Sequence, residues 1–159
     1  MSQIKYRKAR YEDIDDILSL YYELTRFHQQ LEPEFFNNNN QSKTFVRNMM
    51  NDRDVLFYVA TSLDNVVGFV LLQIDYSINL AMLKKYKYVY LTDLVVDSNF
   101  QKQGIANKSI DYAIEYCQDN HLDIIELTVW SKNKKAIELY EKRGFREKLL
   151  TMTLDTKKM

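Results

Sequence analysis

Two hydrophobic periods take turns along this chain, and each change of period marks a change of element. Ile14, Ile17, Leu18, Tyr21 and Leu24 recur at the spacing of one helix face. Glu12, Asp13, Asp15 and Asp16 crowd at its start, where a helix N-terminus attracts negative charge. Ahead of them, residues 3–7 alternate weakly, as a short first strand does. Pro33 and residues 37–40, all asparagine, break the pattern into a loop. Phe45, Val46, Met49 and Met50 then predict a second, shorter helix. Residues 55–61 and 66–74 are strand-like, with Asp64-Asn65 as the predicted hairpin turn. A third apolar strand spans 88–96. Ile110, Ala113, Ile114 and Cys117 stripe a later helix. Residues 124–130 predict another strand, followed by a helix carrying Tyr140 and a closing strand near 146–155. Helices before and between strands indicate an α/β or α+β arrangement, a sheet flanked by helices.

Composition keeps this within one domain, residues 1–159. A chain of 159 residues with 46% hydrophobic content buries a substantial core without disulfides or metals. No repeat or interdomain linker interrupts it. Its 22 basic and 22 acidic residues cancel, so no global field favours nucleic acid or an anionic membrane. The single Cys117 has no internal disulfide partner, and His28 and His121 stand in no metal-ligand spacing. Residues 2–10 are polar and basic, unlike a secretory signal, and no apolar run is long enough to span a bilayer. The expected address is the cytoplasm, and no metal is expected.

The chain has only three glycines, and one of them, Gly104, sits between the strand at 88–96 and the helix that follows. A strand that turns through glycine into a helix leaves several backbone N–H groups unpaired at a point of partial positive charge. That junction suits a phosphate or pyrophosphate, and a side chain at Gly104 would hold such a ligand off the backbone. An ordinary strand–turn–helix connection uses the same residues. The surroundings exclude two common phosphate loops. A dinucleotide fingerprint needs partner glycines that Gly104 lacks, and residues 104–109 (GIANKS) lack the glycine that precedes the lysine of a nucleoside-triphosphate loop.

Gln101-Lys102-Gln103-Gly104-Ile105-Ala106 instead resembles the acyl-CoA signature of the GNAT superfamily of N-acetyltransferases: Gln or Arg, two residues, Gly, one residue, then Gly or Ala. The lead-in from Leu94 to Phe100 is also similar, with Ser98 where a proline is frequent. A second block, from Asn133 through Ala136 and Tyr140 to Gly144-Phe145, is similar to that superfamily's N-x-x-A-x-x-x-Y-x-x-x-G-F segment. The resemblance is clear from about residue 88 to 145 and looser before it. It implies a mixed, mostly antiparallel central sheet flanked by helices, in which strand 94–96 splays from strand 124–130 to admit the pantetheine arm of acetyl-CoA. It assigns main-chain bonds to Leu94, Val95 and Val96, and the pyrophosphate to Gln101, Lys102, Gln103, Gly104, Ile105 and Ala106, with Asn107 beside it. Asn133 would reach the pantetheine or acyl end, although its position also suits a helix N-cap. Members of the superfamily are often homodimers.

The implied reaction asks little of the protein. An amine attacks a thioester carbonyl, a donor steadies the oxyanion, and a thiolate leaves. A thiol of pKa about 8.5 leaves more easily when a neighbour of pKa about 10 hands it a proton. Tyr140 stands where the superfamily places that acid, at the cofactor's sulfur; a packed core aromatic is the alternative. A main-chain N–H near Leu94 or Val95 would be the oxyanion donor. The base is less defined. Keeping an alkyl amine of pKa about 10.4 deprotonated at neutral pH costs roughly 4.6 kcal/mol, and an α-amine near pKa 8 about 1 kcal/mol. Polyamine acetyltransferases of the superfamily often have Glu-Asp where this chain has Thr92-Asp93. Asp93 is therefore the first candidate base or amine-binding carboxylate, against a purely structural strand aspartate, and Glu126 is the second.

Acceptor recognition in this family falls to the first two helices, their loop and the hairpins. Tyr21, Tyr22, Glu23, His28, Glu32 and Glu34 lie there, as aromatic and acidic groups suited to a cation or as ordinary surface residues. Residues 27–33 resemble a helix-end pattern of members that modify small amines. The expectation is an N-acetyltransferase acting on a small-molecule primary amine. The alternatives are a protein or peptide N-terminal acetyltransferase and a non-catalytic acyl-CoA sensor.

Overall fold

A computed structural model describes residues 2–159, and the chain divides into two compact units, one ending at Thr128 and the other spanning Val129–Met159. The first unit holds strand β1 (Lys5–Lys8), helices α1 (Ile14–Leu31) and α2 (Lys43–Asn51), strands β2 (Val55–Ser62), β3 (Asn65–Tyr76) and β4 (Lys87–Val96), helix α3 (Ile105–Asp119) and strand β5 (Ile125–Glu126). The strands lie side by side in chain order. All neighbours are antiparallel except β4 and β5, which are parallel and joined through α3 as a parallel pair requires. This is the mixed, mostly antiparallel sheet flanked by helices that the sequence implies.

Alternation along the strands assigns each face. Phe57, Val59, Phe69, Leu71 and Val95 point one way and meet Ile14, Ile17, Leu20 and Tyr21 of α1 and Val46 of α2. Ala60 and Val67 point the other way and meet Ile105 of α3. The register that buries these side chains also decides the β2–β3 turn. Ser62 pairs with Asn65, so the two-residue loop is Leu63-Asp64, at φ 49° and 67°, and Asn65 already belongs to β3. The turn therefore lies one residue earlier than Asp64-Asn65. A left-handed leucine costs about 1–2 kcal/mol. A one-residue slip would turn out the whole buried face, at roughly 1.5–3 kcal/mol for each large side chain.

The acidic residues before α1 do more than complement its dipole. Asp13 is 5% exposed. Its two oxygens accept from the two terminal nitrogens of Arg7 on β1 at 2.7 and 2.9 Å, and Oδ2 also accepts from the Arg10 N–H at 2.7 Å. Burial alone would raise its pKa, but the Arg7 and Arg10 bonds outweigh burial and hold it below the usual carboxylate range. Asp16 Oδ2 accepts from the Val66 N–H at 3.0 Å, tying α1 to the start of β3.

Two expected strands are not as predicted. The strand at 124–130 shrinks to the two residues of β5, Ile125 and Glu126. The closing strand at 146–155 does not form. Leu150, Met152 and Leu154 do alternate, but they are 63%, 84% and 73% exposed. Alternation is only half of what a strand needs, since a ladder also takes a hydrogen-bonding partner strand.

In the second unit, helix α4 (Lys134–Lys142) is closed at both ends. Asn133 Oδ1 accepts from the Ala136 N–H at 3.2 Å, a side-chain N-cap. At the other end, the Phe145 N–H reaches the Tyr140 carbonyl and the Gly144 N–H the Glu141 carbonyl, both at 3.0 Å, with Gly144 at φ 93°. This is the Schellman arrangement. Its usual apolar contact is the Tyr140–Phe145 ring pair, with centroids 5.5 Å apart.

Candidate active site

β4 changes character halfway along. Leu91 pairs with Leu72 and Asp93 with Leu71, so Thr92 is an extra residue in a β-bulge. Its hydroxyl donates to Gln73 Oε1 at 3.0 Å. On the edge away from β3, β4 pairs with β5 at Val89 and Tyr90 only, and the Val89 N–H reaches the Ile124 carbonyl at 3.1 Å. Beyond the bulge the parity flips. The Asp97 N–H donates to the Val67 carbonyl at 2.9 Å, so Asp97 and, two residues back, Val95 face β3 with their main chain. Leu94 and Val96 therefore present their N–H and C=O to an edge that no strand of the first unit covers. Val95 contributes a buried side chain instead.

The same bulge turns Asp93 toward α1. Its Oδ2 accepts from the Tyr21 hydroxyl at 2.7 Å, and Tyr21 is itself 2% exposed. Burial pushes the Asp93 carboxyl above its ordinary pKa, and the Tyr21 bond offsets this only in part. Tyr21 is driven strongly upward by burial and by Asp93, so it stays protonated and keeps donating. No buried side-chain oxygen or nitrogen lacks a partner among the described residues, so Asp93 Oδ1, which makes no hydrogen bond there, reaches the surface. A carboxylate with one oxygen anchored, one accessible and a raised proton affinity is suited to take a proton.

The loop after β4 folds back through a short turn in which Asp97 Oδ1 accepts from the Asn99 N–H at 2.8 Å. Lys102 and Gly104 then adopt φ 62° and 83°, and α3 begins. A Cβ at Gly104 would meet nothing within 4 Å, so its backbone angle, not crowding within the chain, favours glycine there. The first helical bond is Lys108 N–H to the Gly104 carbonyl, which leaves the N–H groups of Ile105, Ala106 and Asn107 ahead of the ladder. Gln101, Lys102, Gln103 and Asn107 are exposed, whereas the Ile105 side chain is 1% exposed. It lies over Gly68, where a Cβ would come within 3.0 Å of both Ile105 Cγ2 and the Val95 carbonyl. Gly68, which the pattern of the chain gives no reason to single out, thus lets the start of α3 press onto the sheet. Asn133 and Tyr140, in the second unit, occupy the N-cap and the C-terminal lock of α4.

The residues expected to face an acceptor separate. Tyr21 belongs to the core and to Asp93. Tyr22 is exposed, but Arg26 already covers its ring at 5.5 Å and donates to its hydroxyl at 2.8 Å. His28 stacks on Phe36 with centroids 4.9 Å apart, and burial lowers its pKa, so it is neutral at neutral pH. Glu32 is buried, while Glu23 and Glu34 are exposed. No group of three or more His, Cys, Asp or Glu among the described residues forms a metal site. No helix there is long and apolar enough to cross a membrane.

The sequence pattern of the acetyltransferase (GNAT) family matches residues 12–145. The chain belongs to that family. An uncharacterised N-acetyltransferase of Methanocaldococcus jannaschii is 29% identical over 142 residues, covering 89% of this chain. The chain spans 60% of that relative's length. Among solved structures, a tetramutant of a Bacillus halodurans protein superposes with a TM-score of 0.89 at 21% identity, covering 95% of this chain and 99% of that one. An aminoglycoside N-acetyltransferase in complex with CoA superposes with a TM-score of 0.73 at 13% identity, covering 98% and 96%. At these identities the two structures speak for the fold. The family member described here thus carries its family's two sequence blocks on a bulged, half-open β4 and on a helix capped at both ends.

Proposed function

We infer that this family member transfers an acetyl group from acetyl-CoA to the primary amine of a small molecule, in a ternary complex, and that residues 1–159 act as one transferase domain in the cytoplasm. The family match runs across both compact units, which supports a single functional domain. The observation that carries the reading is the β4 bulge. One inserted residue exposes the main chain of Leu94 and Val96 on the open edge and aims Asp93 at the opposite face of the sheet from α3.

The residues present fit the cosubstrate. Leu94 and Val96 offer strand-like hydrogen bonds to a pantetheine arm, with Val95 holding the strand in the core. The backbone from Gln101 to Ala106, open around Gly104, offers N–H groups to a pyrophosphate, with Asn107 on the adjoining turn. Acetyl-CoA supplies an activated thioester: the new C–N bond forms as the C–S bond breaks. Asp93 takes the proton that the amine must lose. Tyr140 gives a proton to the departing thiolate, and Asn133 adds a polar contact near the acyl end while capping α4. A small acceptor is favoured because Asp93 supports deprotonation of a strongly basic amine, which a peptide α-amine needs less. The structurally similar aminoglycoside N-acetyltransferase is consistent with it.

Thiol release from acetyl-CoA, measured across a panel of amines, tests this reading. Turnover with small alkyl amines that exceeds turnover with peptide N-termini supports it. Preference for peptides would make the chain an N-terminal acetyltransferase. CoA binding with no release on any amine would make it a sensor.

A further inference from the structure

The turn between β3 and β4 exposes a run of apolar side chains. Residues 78–83 are Ile-Asn-Leu-Ala-Met-Leu, with Asn79 the only polar side chain. Ile78 and Met82 are 69% and 82% exposed, and Leu80 and Leu83 are also exposed. Single apolar residues on a surface are ordinary, but four on one turn leave water in contact with a patch that nothing in the fold requires. The backbone beneath them is organised. The Ser77 N–H donates to the Tyr86 carbonyl and the Tyr86 N–H to Ser77 Oγ, both at 2.9 Å, and the Ser77 hydroxyl donates to the Lys84 carbonyl at 3.3 Å. Within the turn, the Leu80 N–H reaches the Ile78 carbonyl at 3.1 Å and the Leu83 N–H the Leu80 carbonyl at 3.0 Å. The turn thus satisfies part of its own backbone, which lowers the cost of leaving water.

Charge cancels over the whole chain but not here. Lys84, Lys85 and Lys87 follow the apolar residues, and residues 76–92 contain no Asp or Glu. All three lysines are exposed, and none forms a salt bridge among the described residues. Lys87 lies instead 5.8 Å from the ring of Tyr76, itself 68% exposed. The nearest carboxylate along the chain, Asp75, accepts from the Tyr76 N–H at 2.8 Å at the base of the turn. Aliphatic side chains at the tip, then lysines, then an exposed tyrosine follow the order met on passing from acyl chains through anionic headgroups to water. A second copy fits poorly, because a two-fold contact would set lysines against lysines. We propose that this turn docks the protein on an anionic lipid surface. Ile78, Leu80, Met82 and Leu83 enter the boundary between headgroups and acyl chains, and Lys84, Lys85 and Lys87 rest on the headgroups. The attachment is peripheral and reversible, and the cytoplasmic leaflet of a membrane supplies such lipids. It does not depend on the transferase reading.

Co-sedimentation of the full chain with vesicles tests it, using phosphatidylcholine alone against phosphatidylcholine and phosphatidylserine in about 2:1 proportion. The wild type should bind the anionic vesicles at least about tenfold more tightly than the neutral ones, and added salt should weaken that binding. Replacing Lys84 and Lys85 together by Gln should lower anionic binding about 25-fold, at about fivefold for each lysine near such a surface. Replacing Ile78 and Met82 together by Ser should lower it at least about tenfold at any salt concentration. Both pairs are exposed, so melting temperatures should match the wild type. If the serine pair fails to fold, the lysine pair and the salt dependence of the wild type still decide. Wild-type protein that ignores anionic vesicles, or binds both kinds equally, overturns the proposal. So does binding that neither double variant weakens. Loss with the lysine pair but not with the serine pair would leave adsorption by charge alone and overturn insertion of the tip. Self-association in the absence of vesicles, abolished by the serine pair, would make a second copy the occupant and overturn the lipid assignment.

Discussion

Two aspartates near α1 are drawn out of water, and their surroundings do opposite things to them. Asp13 is enclosed by a bidentate arginine and a backbone N–H, and its proton affinity falls. Asp93 meets only a neutral tyrosine hydroxyl, and burial raises its proton affinity. The partner makes the difference. A cation converts a buried carboxylate into a fastening between β1 and α1; a neutral donor leaves it oriented, with its proton affinity raised. Both sit in element-ordering contacts, yet only Asp93 has an oxygen without a hydrogen bond, on a strand distorted by a bulge.

Replacing Asp93 probes this contrast with the largest expected effect. Asp93→Asn should lower kcat/KM for alkyl amines by about 10²–10⁴-fold, as loss of a general base does, with the melting temperature unchanged or raised. A melting temperature that fell as for a loss at Asp13 would erase the distinction. Tyr140→Phe should slow the chemical step over the same range, about 10²–10⁴-fold, because the ring contact to Phe145 and the helix cap survive. The melting shift given by CoA should persist; normal turnover in the variant would reduce Tyr140 to its packing role.

Asp13→Asn should act on stability alone, costing about 2 kcal/mol, the scale of a buried charged group losing its partner. Its pH dependence has a definite sign. A carboxylate whose folded pKa is depressed contributes stability above its unfolded pKa, about 3.9, and loses it as pH falls through the folded value. The variant should therefore lack the wild type's steepest acid loss in urea titrations. Asp93 has the opposite sign, since its raised folded pKa makes folding more favourable as pH falls through that value. The smallest effect is expected at the cofactor loop. Gly104→Val imposes a left-handed strain of about 1–2 kcal/mol and should leave the apoprotein folded while removing most of the CoA melting shift. An unchanged shift would place CoA elsewhere.

What was legible in the sequence follows from how local each feature is. The segment 133–145 carries its own instructions: Asn133 caps Ala136, and Tyr140, Gly144 and Phe145 complete one Schellman turn, so five spaced residues describe a helix from start to stop. The glycine junction at 104 was equally readable. The bulge at Thr92 was not, because it exists only in the register between β3 and β4. Nor was the Arg7–Asp13 pair, since a cluster of acids before a helix has the same appearance whether or not one of them is buried. Tyr21 looked like both a core residue and a surface aromatic; only the fold shows that its hydroxyl serves Asp93. The apolar alternation at 150, 152 and 154 misled for the converse reason: a period by itself carries no register with a partner strand.

The role of Asp93 is tested most directly by the pH dependence of kcat/KM for two acceptors, an alkyl amine of pKa about 10.4 and an amine near pKa 8, in the wild type and in Asp93→Asn. The wild type should show an acid limb set by a carboxylate above its ordinary range, absent from the variant, and the variant's loss should be larger for the more basic amine. An equal loss for both amines, with a lowered melting temperature, would contradict the account and make Asp93 a second structural carboxylate like Asp13.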